Sequence, residues 1–474
     1  MSASFKRSVS LLDAVMVVAG AMIGSGIFIV SADMIRNVGS SGWLILLWIV
    51  TGIITIIGAL SYGELSGMFP TAGGQYMYLR EAYNRRIGFL YGWSFFMVIQ
   101  TGTIAAVAVA FSKFTAYLLP VFKEENMVLH FGNFNVSAGQ LLAIVIVILL
   151  TAINSLGIKY GKTIQTIFTL AKLLSLIGLI VLGIWLGANK TVWISNWHDA
   201  FNFQKLSSNG FSSYTSMAFI GAFAAAMVGS LFSSDAWHSI AFIAGEVKKP
   251  ERNIGLSLLL GTLIVTVLYV AVNLVYLAVL PLHDIAFAPN DRIAVAAMDK
   301  IWGNSGTIIM AALIMISTFG CVNGLVLTGA RVYYSMAKDG LFFQRAGHLN
   351  RAGVPSFGLW IQCIWACVLC LSGHYGDLLD YVIFVVLIFY VLTIIGVFRL
   401  RKNKPDLPRP YKAFGYPVLP AIYIVVASVI CIALLFTKPR YTWFGLIIVL
   451  LGLPVYYLAE KKGKRSLANA ENSN

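Results

Sequence analysis

The chain has 474 residues, 59% of them hydrophobic and 11% charged, with 34 lysines and arginines against 19 acids. A composition this apolar excludes a soluble globule and fits a polytopic helical membrane protein. The net charge of +15 would fit a nucleic-acid partner, but the basic residues sit in short loops between apolar runs, which argues against one.

In chain order, twelve apolar segments lie near 9–35, 41–67, 88–119, 138–156, 163–187, 214–244, 253–281, 305–336, 356–373, 377–400, 414–437 and 441–459. Each suits a span, which needs about 20 residues. Basic groups recur on alternate sides: Lys6 and Arg7; Arg80, Arg85 and Arg86; Lys159 and Lys162; Lys248, Lys249 and Arg252; Lys338, Arg345 and Arg351; Arg401, Lys402, Lys404, Arg409 and Lys412; Lys461, Lys462, Lys464 and Arg465. The opposite loops carry fewer: Arg36; Lys123; Lys190 and Lys205; Arg292 and Lys300; Lys438 and Arg440. The positive-inside rule therefore predicts both termini in the cytoplasm, and the even number of spans predicts the same. Cys321, Cys363, Cys367, Cys370 and Cys431 all fall inside spans, so no disulfide framework is expected. No cleavable signal peptide is expected, because the first apolar stretch is too long. The polar tail from Ser466 to Asn474 is predicted to be disordered.

The first segment is interrupted near its middle by Gly24-Ser25-Gly26. Lipid offers the backbone no hydrogen-bond partners, so an unwound stretch at that depth must face a protein-lined cavity. It frees N–H groups suited to a carboxylate and carbonyls suited to an ammonium, which points to a zwitterionic solute. A second interruption follows five spans later, in Leu231-Phe232-Ser233-Ser234-Asp235-Ala236-Trp237-His238. Paired breaks of this kind are expected of two inverted five-helix repeats with a binding site between discontinuous helices. The predicted organisation is a cytoplasmic N-terminus (1–8), a first five-helix repeat (9–187), an extracellular loop (188–213) and a second repeat (214–400). A cytoplasmic loop (401–413), two further helices (414–460) and a cytoplasmic tail (461–474) complete it.

Several stretches carry a family resemblance. Gly24-Ser25-Gly26-Ile27-Phe28 resembles the first-helix signature of the amino acid–polyamine–organocation (APC) superfamily. The stretches Gly63-Glu64-Leu65, Met68 to Tyr76 and Tyr78 to Tyr83 are similar to its second-to-third helix connection. Phe319 to Gly324 with Gly329-Ala330-Arg331 resembles the eighth helix of the L-type amino acid transporter branch, and Glu246 to Asn253 the loop after its sixth. The resemblance implies an all-α membrane protein of about 12 transmembrane helices with the LeuT-type 5+5 inverted repeat and discontinuous helices 1 and 6. It also implies transport of L-amino acids, often by sodium-independent exchange.

On this reading the substrate carboxylate meets the Ser25 hydroxyl and the Gly26 N–H, beside Gly24, at the start of the second half-helix, which carries about half a positive charge. Glycine at position 26 would let the ligand come close. Carbonyls at Ile23 and from Phe232 to Ser233 would hold the ammonium. The alternative for Ser25 is a bond back to its own helix. The resemblance makes Phe232 an outer gate; ordinary packing is the alternative. Lys172 lies mid-span, where a charge costs about 2.5–3.5 kcal/mol on insertion scales unless it faces protein partners. It matches a fifth-helix lysine of L-type relatives that occupies the place of a sodium ion, bridging carbonyls near Gly20 and hydroxyls of Ser317 or Thr318. A structural cation pinning three helices and a proton-carrying lysine are the alternatives. Asp235 could bind the ammonium, cap the second half of helix six, or relay a proton. His238 could narrow the side-chain pocket or face a neighbouring helix. Glu64, Glu81 and Glu246 read as inner-gate or ion-pair residues, and Asp13 as favouring the start of helix one.

No zinc-like spacing, Walker-type loop or nucleophile elbow occurs, so no cofactor, no metal and no enzymatic activity are expected. The leading expectation is a sodium-independent exchanger of neutral L-amino acids working by alternating access. A proton-coupled symporter, an antiporter of cationic amino acids or amines, and a non-transporting amino acid sensor are the alternatives. The resemblance implies that animal members of the L-type branch often join a single-span glycoprotein, the heavy chain, through a cysteine between helices three and four, whereas the loop from Pro120 to Gly139 has no cysteine. No disulfide-linked heavy chain is therefore expected, which favours a bacterial inner-membrane protein with the lipid bilayer and L-amino acids as its partners.

Overall fold

The computed structural model describes residues 7–131, 134–372 and 375–471; Lys6 of the first basic group lies outside them. Ser10 opens the first span: its hydroxyl accepts the Asp13 N–H while the Asp13 carboxylate accepts the Ser10 N–H. Helix α1 (Leu11–Met22) stops at the Gly-Ser-Gly run. A single 3-10 turn, Gly26–Phe28, follows, and α2 (Ser31–Val38) completes the crossing. Span two is α3 (Ser41–Met68). A short helix, α4 (Gln75–Ala82), leads into span three, formed by α5 (Arg85–Ser94) and α6 (Gln100–Leu118) joined through a π-turn. Spans four and five are α7 (Ala138–Ser155), opened by a capping box of Ser137 with Gln140, and α8 (Ile158–Leu182). Helix α9 (Lys190–Trp197) lies in the loop that follows.

Span six is α10 (Ser216–Ser233), an irregular stretch and the single turn α11 (Ser239–Phe242). Span seven is α12 (Pro250–Val279), followed by the loop helix α13 (Leu282–Ala286). Span eight is α14 (Ile293–Lys338), kinked at Gly303 where φ is +62°. Spans nine to twelve are α15 (Ser356–Ser372), α16 (Tyr375–Asn403), α17 (Val418–Thr437) and α18 (Pro439–Glu471). Among the described residues, nine helices are long and apolar enough to cross a membrane. Three shorter apolar ones, Leu11–Met22, Ala218–Ser233 and Ser356–Leu371, make up the twelve. Two of those three are short because their spans are discontinuous.

The structure departs from the sequence reading in the loops and at the tail. Two antiparallel hairpins, β1 (Met127–Phe131) with β2 (Phe134–Ser137) and β3 (Gln204–Ser207) with β4 (Gly210–Ser213), occupy loops that the all-helical reading leaves irregular. Strands of four or five residues are too short to announce themselves by alternation. Helix α18 continues to Glu471, past the point where disorder is predicted, through leucine and alanine positions that favour helix.

Loops gather at two opposite ends. At one, Glu64 accepts from Arg401 at 2.6 Å and from the Ala413 N–H at 2.7 Å, Glu81 pairs with Lys404 at 3.0 Å, and Asp339 with Arg80 at 2.6 Å. There too Glu246 pairs with Arg331 at 3.0 Å, and its carbonyl accepts the N–H groups of Ser8 and Val9 ahead of α1. At the other end, Arg36 pairs with Asp291 at 2.7 Å, Arg292 donates to the Lys113 carbonyl at 2.8 Å, and Lys438 pairs with Asp380 at 2.8 Å. Among the described residues even and odd loops therefore separate; Ser8 and Val9 near one end of the chain meet Glu246, and Tyr457 of α18 near the other meets Arg86.

Packing repeats between the two halves. Span two runs along span seven, and span three along span eight; α1 leans on span five as α10 leans on span ten. Along α17, Val425, Val429, Ile432 and Phe436 form an exposed apolar stripe, the face expected toward lipid.

The Arg331 and Glu246 side chains are 0% and 3% exposed. Removing one partner of a buried ion pair costs about 3–5 kcal/mol. Glu246→Ala should therefore lower the thermal unfolding midpoint of purified protein in detergent by several degrees; an unchanged midpoint would show that the pair contributes nothing.

Candidate functional site at the paired helix breaks

The end of α1 presents carbonyls that its own helix cannot satisfy. Protein side chains satisfy them instead. Lys172 on α8, fully buried, donates from Nζ to Gly20 at 2.8 Å and to Ile23 at 2.7 Å. Cys321 Sγ donates to the Ala21 carbonyl at 3.2 Å. Tyr269 on α12 donates to the Met22 carbonyl at 3.0 Å and also to Ser233 at the end of α10, at 3.1 Å. Its one hydroxyl thus ties the two breaks together. Ser317 reaches the Ile23 and Gly24 carbonyls, each at 3.5 Å.

Beyond the break, the N–H groups of Gly26 and Ile27 have no hydrogen-bond partner among the described residues. They open the 3-10 turn and are buried. This is a donor pair suited to an anion. The turn lies hard against the second break. A Cβ at position 26 would come 2.0 Å from Ser233 Oγ and 3.0 Å from its Cα. Glycine at 26 is therefore required by the approach of the two half-helices, whereas the sequence reading assigned it to the approach of a ligand. A Cβ at Gly20 would meet Thr169 Oγ1 at 2.1 Å, so α1 also needs glycine to bring its carbonyls to Lys172.

The predicted residues divide into two groups. Ile23, Gly24, Ser25, Gly26, Phe232 and Ser233 come together and are all buried, with Phe232 7% exposed. The Ile23 carbonyl, expected to hold an ammonium, already accepts from Lys172, and the Phe232 carbonyl accepts the Asp235 N–H at 3.1 Å. Lys172 meets the Gly20 carbonyl. Ser317 shares the Ile23 carbonyl with Lys172, while Thr318 donates back into its own helix, to Ile314 at 2.9 Å. A hydroxyl four residues after a helical carbonyl finds that local partner first. Asp235 and His238 form the second group. Both side chains turn to Tyr390 on α16, Asp235 accepting at 2.5 Å and His238 Nδ1 lying at 2.7 Å. Between them Ala236 sits at φ +61°, a strained value for a residue with a Cβ.

The sequence reading missed Tyr269 and Tyr390. Both are single hydroxyls in apolar spans and resemble packing aromatics. The inverted repeat held a signal for the second: Lys172 on span five meets the break of span one, and Tyr390 on span ten meets the break of span six.

The amino acid permease family profile matches residues 9–456. The chain belongs to the amino acid permease family. Its relatives include the large neutral amino acids transporter small subunit 2 of Mus musculus, 30% identical over 96% of this chain and 81% of that protein. The serine/threonine exchanger SteT of Bacillus subtilis is 30% identical over 96% of this chain and 98% of its own. The Asc-type amino acid transporter 1 of Mus musculus is 28% identical over 96% and 81%. This permease is therefore a multi-pass membrane transporter rather than an enzyme.

If contact between the breaks is what demands glycine, Gly26→Ala should abolish transport while the protein still inserts. Trimming the opposing side chain in Gly26→Ala/Ser233→Gly should restore at least a tenth of it. Uptake by reconstituted variants checks this; failure of the second change to rescue would return the requirement to the ligand.

Proposed function

We propose that this permease exchanges small and medium neutral L-amino acids across the cell membrane without sodium. The observation that carries the reading is the Lys172 ammonium on the Gly20 and Ile23 carbonyls. A fixed cation there supplies the charge that a bound sodium ion would otherwise bring to the unwound backbone. The substrate carboxylate sits on the Gly26 and Ile27 N–H groups, with Ser25 beside it and the positive end of the half-helix behind. The substrate ammonium turns to the carbonyl edge of the two breaks, from Ile23 to Gly24 and from Phe232 to Ser233. Phe232 closes over the substrate from outside. Asp235 is turned to Tyr390 rather than to the breaks, so a neutral side chain fits better than a cationic one.

The relatives' names, a large neutral amino acids transporter and a serine/threonine exchanger, support both the substrate class and exchange. Rocking of the two repeats about the shared site, with tilting of α1 and α10, would expose it to each side in turn. The excess of basic residues in the loops on the side of Glu64, Glu81 and Glu246 supports cytoplasmic termini. The loop from 120 to 139 carries no cysteine, which supports a permease that works without a disulfide-linked partner, in a bacterial inner membrane.

The test is uptake of individual radiolabelled L-amino acids into proteoliposomes of matched pH, preloaded with amino acid or empty, in sodium or choline buffer. Uptake confined to preloaded vesicles, selective for neutral amino acids and unchanged within about twofold by sodium, is the expected outcome. Sodium-stimulated uptake would contradict the role given to Lys172, and accumulation in empty vesicles would contradict exchange.

A further inference from the structure

The second break carries a group that substrate binding does not use. Asp235 is 6% exposed and His238 3%, and both meet the Tyr390 hydroxyl, at 2.5 and 2.7 Å. Beside the carboxyl lies a cavity of about 20 Å³ lined by Thr55, Ser234, Trp237 and Tyr423, room for about one water molecule. The titratable groups facing the triad are Tyr62 of α3, Tyr91 of α5 and Tyr423 of α17. No lysine or arginine lines the cavity or hydrogen-bonds to Asp235 among the described residues. An ionised carboxylate here is balanced by hydrogen bonds alone.

The hydrogen-bond chain has two self-consistent arrangements, because a phenol gives one proton and accepts another. In the first, Asp235 is ionised and accepts from the Tyr390 O–H, while Tyr390 accepts from the Nδ1–H of neutral His238. In the second, Asp235 is a neutral acid donating to Tyr390, Tyr390 donates to bare Nδ1, and the imidazole proton resides on Nε2. One proton converts the first into the second. Added at Nε2, it is matched by transfer of the Nδ1 proton to Tyr390 and of the Tyr390 proton to Asp235. No other bond changes.

We propose that Asp235, Tyr390 and His238 form a proton-binding site in which a proton taken up at the imidazole is stored as the neutral carboxyl of Asp235, and that its occupancy sets the rate at which span six moves. In the ionised state a charge-assisted bond ties the span-six break to α16; such bonds are about twice as strong as neutral ones. Protonation weakens that tie. Exchange is therefore faster at low pH, whichever neutral amino acid is carried.

Exchange by reconstituted wild-type protein, measured between pH 5 and pH 8 with equal pH on both sides, should rise as pH falls by about tenfold per pH unit on one limb, the signature of a single proton. Asp235→Asn, which copies the neutral acid, should exchange at the fast rate throughout. A flat wild-type profile, or a wild-type profile retained by Asp235→Asn, overturns the proposal while leaving exchange itself intact. A readout free of transport guards against a variant that fails to fold. Infrared difference spectra of the wild type should show a protonated-carboxyl band growing as pH falls and shifted in Tyr390→Phe; absence of that band overturns the proposal independently.

Discussion

The bond from Lys172 to the carbonyls of Gly20 and Ile23 is the interaction on which the rest of the site depends. A helix stopped in mid-membrane leaves carbonyls that lipid cannot satisfy, and each would cost several kcal/mol if left alone. A buried ammonium faces the same difficulty from the opposite side. Placing one on the other resolves both at once and fixes the angle at which α1 ends. The next carbonyls fall to Cys321, Tyr269 and Ser317, so the broken end of α1 is held by spans five, seven and eight together. With its carbonyl end held in this way, the first break can turn its N–H groups at Gly26 and Ile27 inward.

The second break is built on the same plan with a different chemistry. Span ten supplies a phenol where span five supplies an ammonium, and the group it meets is a carboxyl rather than a row of carbonyls. Tyr269 then joins the two breaks through one hydroxyl, and the contact of Gly26 with Ser233 leaves no room for a side chain between them. Movement of one half-helix is therefore transmitted to the other. Coupled movement around a shared site is what alternating access requires. At the opposite end from the hairpins, the pairs Glu64 with Arg401 and Glu246 with Arg331 tie the loops together.

Much of this was legible in the amino-acid sequence, for reasons that can be named. Twelve spans follow from apolar length, and the two breaks follow from glycine and polar residues placed where lipid forbids them. Lys172 stood out because a charge at that depth is costly. The ion pairs of Glu64, Glu81 and Glu246 follow from acids set among basic loops. The directions of individual side chains were not legible. Asp235 is two residues from Ser233 in sequence, yet Ser233 packs on Gly26 of the first break while Asp235 turns to Tyr390 on α16. Of the two hydroxyls proposed to meet Lys172, Ser317 reaches the Ile23 carbonyl that the lysine also holds, while Thr318 has a carbonyl of its own helix nearer. Tyr269 and Tyr390 escaped notice because a hydroxyl on a buried ring looks the same in sequence whether it bridges two helices or merely packs.

The measurement that bears most directly on the central claim is exchange by Lys172→Met in proteoliposomes, compared with wild type in amount inserted and in rate. Methionine keeps the length and packing of the stem and removes the two charge-assisted bonds, each worth about 1.5–3 kcal/mol. Normal insertion with exchange reduced at least 100-fold is the expected result. Exchange at the wild-type rate would show that the first break holds its shape without the lysine and would remove the basis of the mechanism.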